Sequence, residues 1–233
     1  MHDDLAPHYD ELFDDLYDIS FIYATQALLE ILETLRAPPA RVLDVGAGTG
    51  RIALPLVEAG YAVTAVEPSC GMRERLIEKA AAECRHIELR AGVVPDALTP
   101  ADLNFDLALL AFGVIDYIVD DAAAEAVLRA IAARMAPGGL CVVQPAPKQF
   151  MRSGVELGTH YRREVELRWT GEVAAVKHRV LKDNQPVAVE NLHMRYRSPA
   201  AITALAQRAG WQVREETTDG SYPTWVLARA APL

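Results

Sequence analysis

The chain has little cysteine: Cys70, Cys84 and Cys141 in 233 residues. The number is odd and no CxxC occurs, so neither a disulfide framework nor a zinc ribbon is expected, and the thiols read as those of a reduced, cytoplasmic protein. Long apolar runs are missing too. The longest, Leu107 to Ile115, is less than half of what a bilayer span requires, so no membrane partner is expected. The opening Met-His-Asp-Asp has neither the basic nor the apolar stretch of a secretory signal. Cationic charge is in deficit, with 23 Lys and Arg against 32 Asp and Glu and a net charge of −9. That speaks against nucleic acid as a partner, because phosphate binding needs clustered Lys and Arg. Repeats and low-complexity tracts are absent. So are HExxH, GxSxG and GxxxxGK[ST], which leaves zinc-peptidase, serine-hydrolase and P-loop chemistry without support.

What the chain does have is apolar content, 51% of its residues. A chain of this length and content can bury one substantial core without staples. Aromatic and leucine spacing over residues 8–35 (Tyr9, Leu12, Phe13, Leu16, Tyr17) predicts helix, with a break near Ile19–Ser20 giving two helices that end at Pro38–Pro39. Short apolar strands then alternate with amphipathic helices: strands at 41–45, 62–67, 87–90, 105–112 and 140–144, helices at 51–58, 71–83 and 122–135. This alternation predicts a parallel sheet covered on both faces. From Gly154 to Arg197 the period becomes two. Val165, Leu167 and Trp169 alternate with charged residues, as do Val176, His178 and Val180, and Asp183-Asn-Gln-Pro186 reads as a turn, so an inserted antiparallel sheet is expected. Ser198-Pro199 starts a last helix, and strands at 211–217 and 224–230 close the fold.

The most informative stretch is Asp44-Val-Gly46-Ala-Gly48-Thr-Gly50, where the first strand turns into the first helix. Glu67 follows at the end of the next strand, where an acid can bind a ribose diol. A dinucleotide fingerprint, G-x-G-x-x-G, would need a third glycine where Arg51 stands, and Asp44 is awkward beside a pyrophosphate. A cationic ligand without phosphate suits the acidic strand ends better; an oxidoreductase using a nicotinamide cofactor is the rival reading.

Asp44-Val-Gly-Ala-Gly-Thr-Gly50 with Glu67-Pro-Ser69 and Met72 resembles the motif of class I S-adenosylmethionine-dependent methyltransferases of the small-molecule type. Phe105-Asp106-Leu and Met135-Ala-Pro-Gly-Gly-Leu140 resemble their later motifs. The resemblance implies an α/β Rossmann-like fold, a seven-stranded mostly parallel sheet with an antiparallel last strand, and S-adenosyl-L-methionine as cofactor, with S-adenosyl-L-homocysteine as product. It places Gly46, Ala47 and Gly48 around the methionyl part, Asp44 near the amino group, Glu67 on the ribose hydroxyls, and Pro68 and Met72 at the adenine. Where the family often has Gly-Asp, this chain has Gly92-Val93, which implies backbone and apolar contacts to the adenine. Ala111 and Phe112 would line the reaction centre, and Tyr9 would close over the cofactor from the N-terminal helix.

Residues 1–37 are accordingly read as a helical lid, 38–149 and 198–233 as the cofactor-binding core, and 150–197 as an antiparallel β insertion that covers substrate or forms a dimer surface. Methyl transfer to N or O of a small molecule needs alignment and, for a phenol or ammonium acceptor, a base. His160, His193 and Tyr9 are the catalytic candidates, with His8 a further histidine on the lid. Tyr17, Tyr117, Arg152, Tyr161, Tyr196 and Tyr222 are the substrate-binding candidates. No metal is expected, the acidic pairs Asp14-Asp15 and Asp120-Asp121 reading as helix ends. A peptide N-terminus is the alternative acceptor, a non-catalytic cofactor-binding protein the alternative role, and the chain is read as monomer or homodimer.

Overall fold

The computed structural model describes residues 2–217 and 222–230. Five strands, β1 (Arg41–Val45), β2 (Ala62–Glu67), β3 (Glu88–Ala91), β4 (Phe105–Leu110) and β5 (Met135–Val143), run parallel. After the insertion come β10 (Trp211–Thr217) and β11 (Thr224–Arg229), and the seven strands take the order β10-β11-β5-β4-β1-β2-β3. The last strand, β11, pairs antiparallel with β5, as expected. Pro137-Gly-Gly139 does not precede β5 but lies within it, at a register shift opposite Phe105–Leu107. A side chain at Gly139 would come 2.8 Å from the Phe105 carbonyl oxygen, which accounts for the glycine there.

Helices α2 (Ala53–Glu58), α3 (Cys70–Ala82), α4 (Asp121–Ala132) and α5 (Pro199–Arg208) connect the strands. Ser69, Asp120 and Ser198 cap α3, α4 and α5 by accepting the amides of Met72, Ala123 and Ala201. One core lies under α4 and α5, around Phe105, Ile131, Trp211 and Trp225. Trp225 is fully buried there, its indole N–H donating to Thr203 Oγ1. The other core lies under α2, around Val42, Leu107 and Leu109.

The N-terminal helix α1 (Tyr9–Leu35) is continuous, so the break expected at Ile19–Ser20 does not occur. No Gly or Pro interrupts these 27 residues, and the apolar stripe shifts because the helix changes partner along its length. Leu12 packs against the inserted sheet, whereas Leu28 and Leu32 pack against the main-sheet core.

The inserted sheet is antiparallel and consists of β6 (Gly154–Leu157), β7 (Tyr161–Thr170), β8 (Val173–Lys182) and β9 (Gln185–Arg195). Asp183 and Asn184 turn β8 into β9 with positive φ, as Asn and Asp allow. Its inner face carries Val165, Ala174, Val176 and Leu192.

Candidate active site

A cavity of about 990 Å³ opens over the C-terminal ends of β1, β2 and β4, roofed by the inner face of the inserted sheet and walled by α1. That end of an open α/β sheet is where such folds take their ligands.

The floor is the glycine loop. Gly46 N and Ala47 N donate to the Val66 carbonyl at 2.7 and 3.2 Å, holding the loop across the end of β2. Gly46 has φ +74°, and a Cβ there would approach Val114 to 2.6 Å. Gly48 has φ +57°, and a Cβ there would meet nothing within 4 Å. The first glycine is therefore required by packing, and the second leaves the backbone open to the cavity.

Two buried carboxylates flank the loop. Glu67 accepts Gly48 N at 2.9 Å and Ser69 N at 2.8 Å, which leaves acceptor capacity for hydroxyl donors. Burial raises its pKa against the pull of those amides. Asp44 is 3% exposed, and its Oδ2 has no hydrogen-bond partner among the described residues. Burial, with the neighbouring Glu67 charge, pushes its pKa up to about 7.

The N-terminal segment is fastened to this floor. Asp10 accepts Thr49 Oγ1 at 2.6 Å and meets Lys79 Nζ at 3.1 Å, tying α1 to the glycine loop. Asp3 accepts Gly71 N and Ser69 Oγ at 3.0 and 2.9 Å, bonds that hold its carboxyl well below the usual range.

Every residue expected around the cofactor lines this one cavity: Asp44, Gly46, Ala47, Gly48, Glu67, Pro68 and Met72 on the floor, with Gly92 and Val93 at one side and Ala111, Phe112 and Tyr9 at the other. Phe112 and Gly113 both have positive φ, a left-handed turn just beyond β4. Arg51, which broke the dinucleotide pattern, lies 3.9 Å over the Phe112 ring and donates through Nε to Thr25 Oγ1. Burial pushes its pKa down to about 10.

Of the substrate candidates, Tyr17, Tyr117, Arg152 and Tyr222 line the cavity, whereas Tyr161 and Tyr196 do not. Tyr161 turns toward the outer side of α1 and donates to Glu11 Oε2 at 2.8 Å. Tyr196 follows β9 and packs under Lys148 Nζ, 5.2 Å from its ring centre.

The histidine candidates need correction. His193 is exposed on β9 opposite Ala175, because the two-residue period sends it to the outer face between the inward Leu192 and Met194. His160 is exposed and bonded to Asp183 at 3.1 Å, in a separate cleft with Asp15 and Lys182. His8 lies 3.2 Å from the Tyr161 hydroxyl and is also outside the cavity. The histidines that line it are His178 and His2. His178 sits on the inner face of β8, and burial first, then the Arg163 and His2 charges, push its pKa down to about 3. His178 was legible as the polar member of the Val176–His178–Val180 face.

Arg163 was likewise hidden among the many basic residues of the insertion. It reaches the cavity, pairs with Glu156 at 3.1 Å and lies 5.8 Å from the centre of the Phe13 ring. Arg197, by contrast, is structural. It is 4% exposed and donates to the Ile115 and Ile118 carbonyls and to Asp121, holding the turn after β4. Asp15 is also structural, accepting the amides of Thr159, His160 and Tyr161.

A methyltransferase-domain family model matches residues 20–216, a span that includes the glycine loop, the inserted sheet and β10. A demethylmenaquinone methyltransferase of Renibacterium salmoninarum is 33% identical over 144 residues, 61% of this chain and 56% of that protein. The chain spans about half the length of such curated relatives. Among solved structures, an S-adenosylmethionine-dependent methyltransferase from Clostridium acetobutylicum has the same fold, with a TM-score of 0.82 at 13% identity over 97% of this chain and 100% of that one. The CcbJ methyltransferase from Streptomyces caelestis matches with a TM-score of 0.73 at 25% identity, over 89% of this chain and 90% of the other. The chain belongs to the methyltransferase-domain family.

Proposed function

We propose that the chain binds S-adenosylmethionine in this cavity and transfers its methyl group to nitrogen or oxygen of a small molecule. One observation carries the reading. A single cavity joins an open glycine loop and two buried strand-end carboxylates to aromatic walls and a largely aliphatic roof. In this reading residues 1–37 are the lid, 38–149 and 198–233 hold the cofactor, and 150–197 select the acceptor.

The residues fit the cofactor. Asp44 has a buried oxygen without a partner among the described residues, which an ammonium would satisfy. Glu67 has acceptor capacity left for a pair of ribose hydroxyls. Pro68, Met72 and Val93 offer apolar contact to an adenine, and no carboxylate follows Gly92 to bind its amine. The bound cofactor supplies an electrophilic methyl group on a positively charged sulfur. The chain's own task is to align the acceptor and keep water out. The cavity is at the upper end of the roughly 300–1,000 Å³ usual for ligand pockets, which leaves room for an acceptor beside the cofactor.

The test is calorimetric titration with S-adenosylhomocysteine, together with mass analysis of metabolite extracts incubated with S-adenosylmethionine. Glu67→Ala is expected to weaken binding at least about tenfold, the loss of one or two charge-assisted hydrogen bonds. Undiminished affinity would overturn the site. An acceptor gaining one methylene in mass supports transfer.

A further inference from the structure

We infer that the acceptor is an aromatic hydroxyl taken as its phenolate, held in a flat slot between two guanidinium groups. The inference rests on the methyl-transfer reading above and decides between its two acceptor atoms.

Two aromatic pairs wall the acceptor half of the cavity: Tyr9 and Phe13, tilted to one another with ring centres 4.5 Å apart, and Phe112 and Tyr222, edge to face at 5.0 Å. Walls built of rings favour a planar acceptor over a puckered one. Each wall carries a cation, Arg51 over Phe112 and Arg163 beside Phe13. Both charges reach Tyr9 and Tyr222, where the Asp10 carboxylate opposes them at Tyr9 and the Asp116 carboxyl at Tyr222. Arg152 adds a third cation where the cavity meets solvent.

The carboxylates are distributed the other way. Asp44 and Glu67 stand at the strand ends, in the half that fits the cofactor. Among the described residues Glu156 is the carboxylate lining the acceptor half, and it is occupied by Arg163 at 3.1 Å and by the Tyr17 hydroxyl at 2.5 Å. Asp116 and Glu190 do not line the cavity, and Glu190 is joined to His2 at 2.7 Å. Burial keeps His178 neutral and the Tyr9, Tyr17, Tyr117 and Tyr222 hydroxyls protonated. At neutral pH an acceptor therefore meets, among the described residues, guanidinium groups, hydroxyl donors, the neutral His178 imidazole, His2 held by Glu190, and one carboxylate already paired with Arg163. That field lowers the pKa of a phenol and opposes entry of an ammonium.

With its proton given up to bulk water on binding, the phenolate needs no protein base. An oxygen lone pair forms the bond to the methyl carbon while the methyl–sulfur pair stays on sulfur. The products are an aryl methyl ether and a neutral thioether.

The probe is 4-nitrophenol, whose ionisation is read by absorbance, on protein saturated with S-adenosylhomocysteine. Bound 4-nitrophenol is expected to ionise about 1 pH unit or more below its value in buffer. Arg163→Gln should remove most of that shift and Arg163→Lys should keep it, and benzylamine should bind at least about tenfold more weakly. An unchanged or raised ionisation, no binding of 4-nitrophenol, or tighter binding of benzylamine overturns the inference; the native protein alone decides this if Arg163→Gln does not fold. Calorimetry with S-adenosylhomocysteine on the same native sample separates the two failures. Loss there overturns the methyl-transfer reading, whereas intact binding without phenolate preference overturns this inference only.

Discussion

Asp44 costs the folded chain stability that its ligand should return, and Asp44→Asn separates the two effects. In the unfolded chain the carboxyl ionises near its ordinary 3.8, and in the fold near 7. Below 3.8 it is protonated in both states and costs nothing. Between 3.8 and 7 the unfolded chain releases the proton first, so stability falls as pH rises. Above 7 the penalty is constant, at most about 4 kcal/mol. Asn carries no such penalty, though it adds a pH-independent cost for its amide. The difference between variant and parent should therefore grow in favour of the variant by about 2–3 kcal/mol from pH 5 to pH 8. Removal of this charge also eases ionisation of Glu67, which acts with the same sign. Urea denaturation of both ligand-free proteins at pH 5, 6, 7 and 8 measures the difference. In parallel, the parent's affinity for S-adenosylhomocysteine should rise with pH up to about 7, as binding of the ammonium expels the Asp44 proton, while the variant binds weakly and loses most of that rise. A stability difference that is flat across this range would refute the claim that Asp44 is destabilised by burial.

The two loop glycines should fail differently. Gly46→Ala must displace Val114 and is expected to lose about 1–3 kcal/mol of stability, visible as a lowered melting temperature. Gly48→Ala meets no atom and should cost about 1 kcal/mol for its positive φ, yet weaken S-adenosylhomocysteine binding about tenfold because the methyl group enters the cavity. Equal effects on melting and binding in both variants would contradict the assignment of Gly46 to packing and Gly48 to access. Arg197→Ala removes the side-chain donor from the Ile115 and Ile118 carbonyls and leaves Asp121 to Arg195 alone, and should cost about 2 kcal/mol in urea denaturation. A loss below about 1 kcal/mol would show that the turn after β4 holds without it.

The half of the molecule proposed to hold cofactor was legible because its information is local. Strands β1, β2 and β4 are buried and nearly continuous in apolar residues, and the groups that face the cavity follow within a few positions of their ends. Asp44 with Gly46 and Gly48, Glu67 with Pro68, and Ala111 with Phe112 could be placed by finding strand ends alone. The half proposed to hold the acceptor is assembled from α1, the turn after β4, and β6 to β9, so its membership depends on which face each residue takes. Where a pattern of period two was present it was sufficient, and it argued against His193, flanked by the inward-facing Leu192 and Met194, as clearly as it argued for His178. His160 and Tyr161 left the cavity for a reason no period reveals, since three backbone amides of that turn converge on Asp15 of α1. α1 misled for the opposite reason. Its stripe shifts where the inserted sheet gives way to the main sheet as partner, and a change of partner produces the same irregularity as a break in the helix. Arg51 links the two halves. Read as a missing glycine, it served only to disfavour a pyrophosphate; in the fold it stacks on Phe112, within the aromatic slot. A pattern match treats such a residue as a defect, whereas its charge and position supply one of the two cations on which the acceptor argument depends.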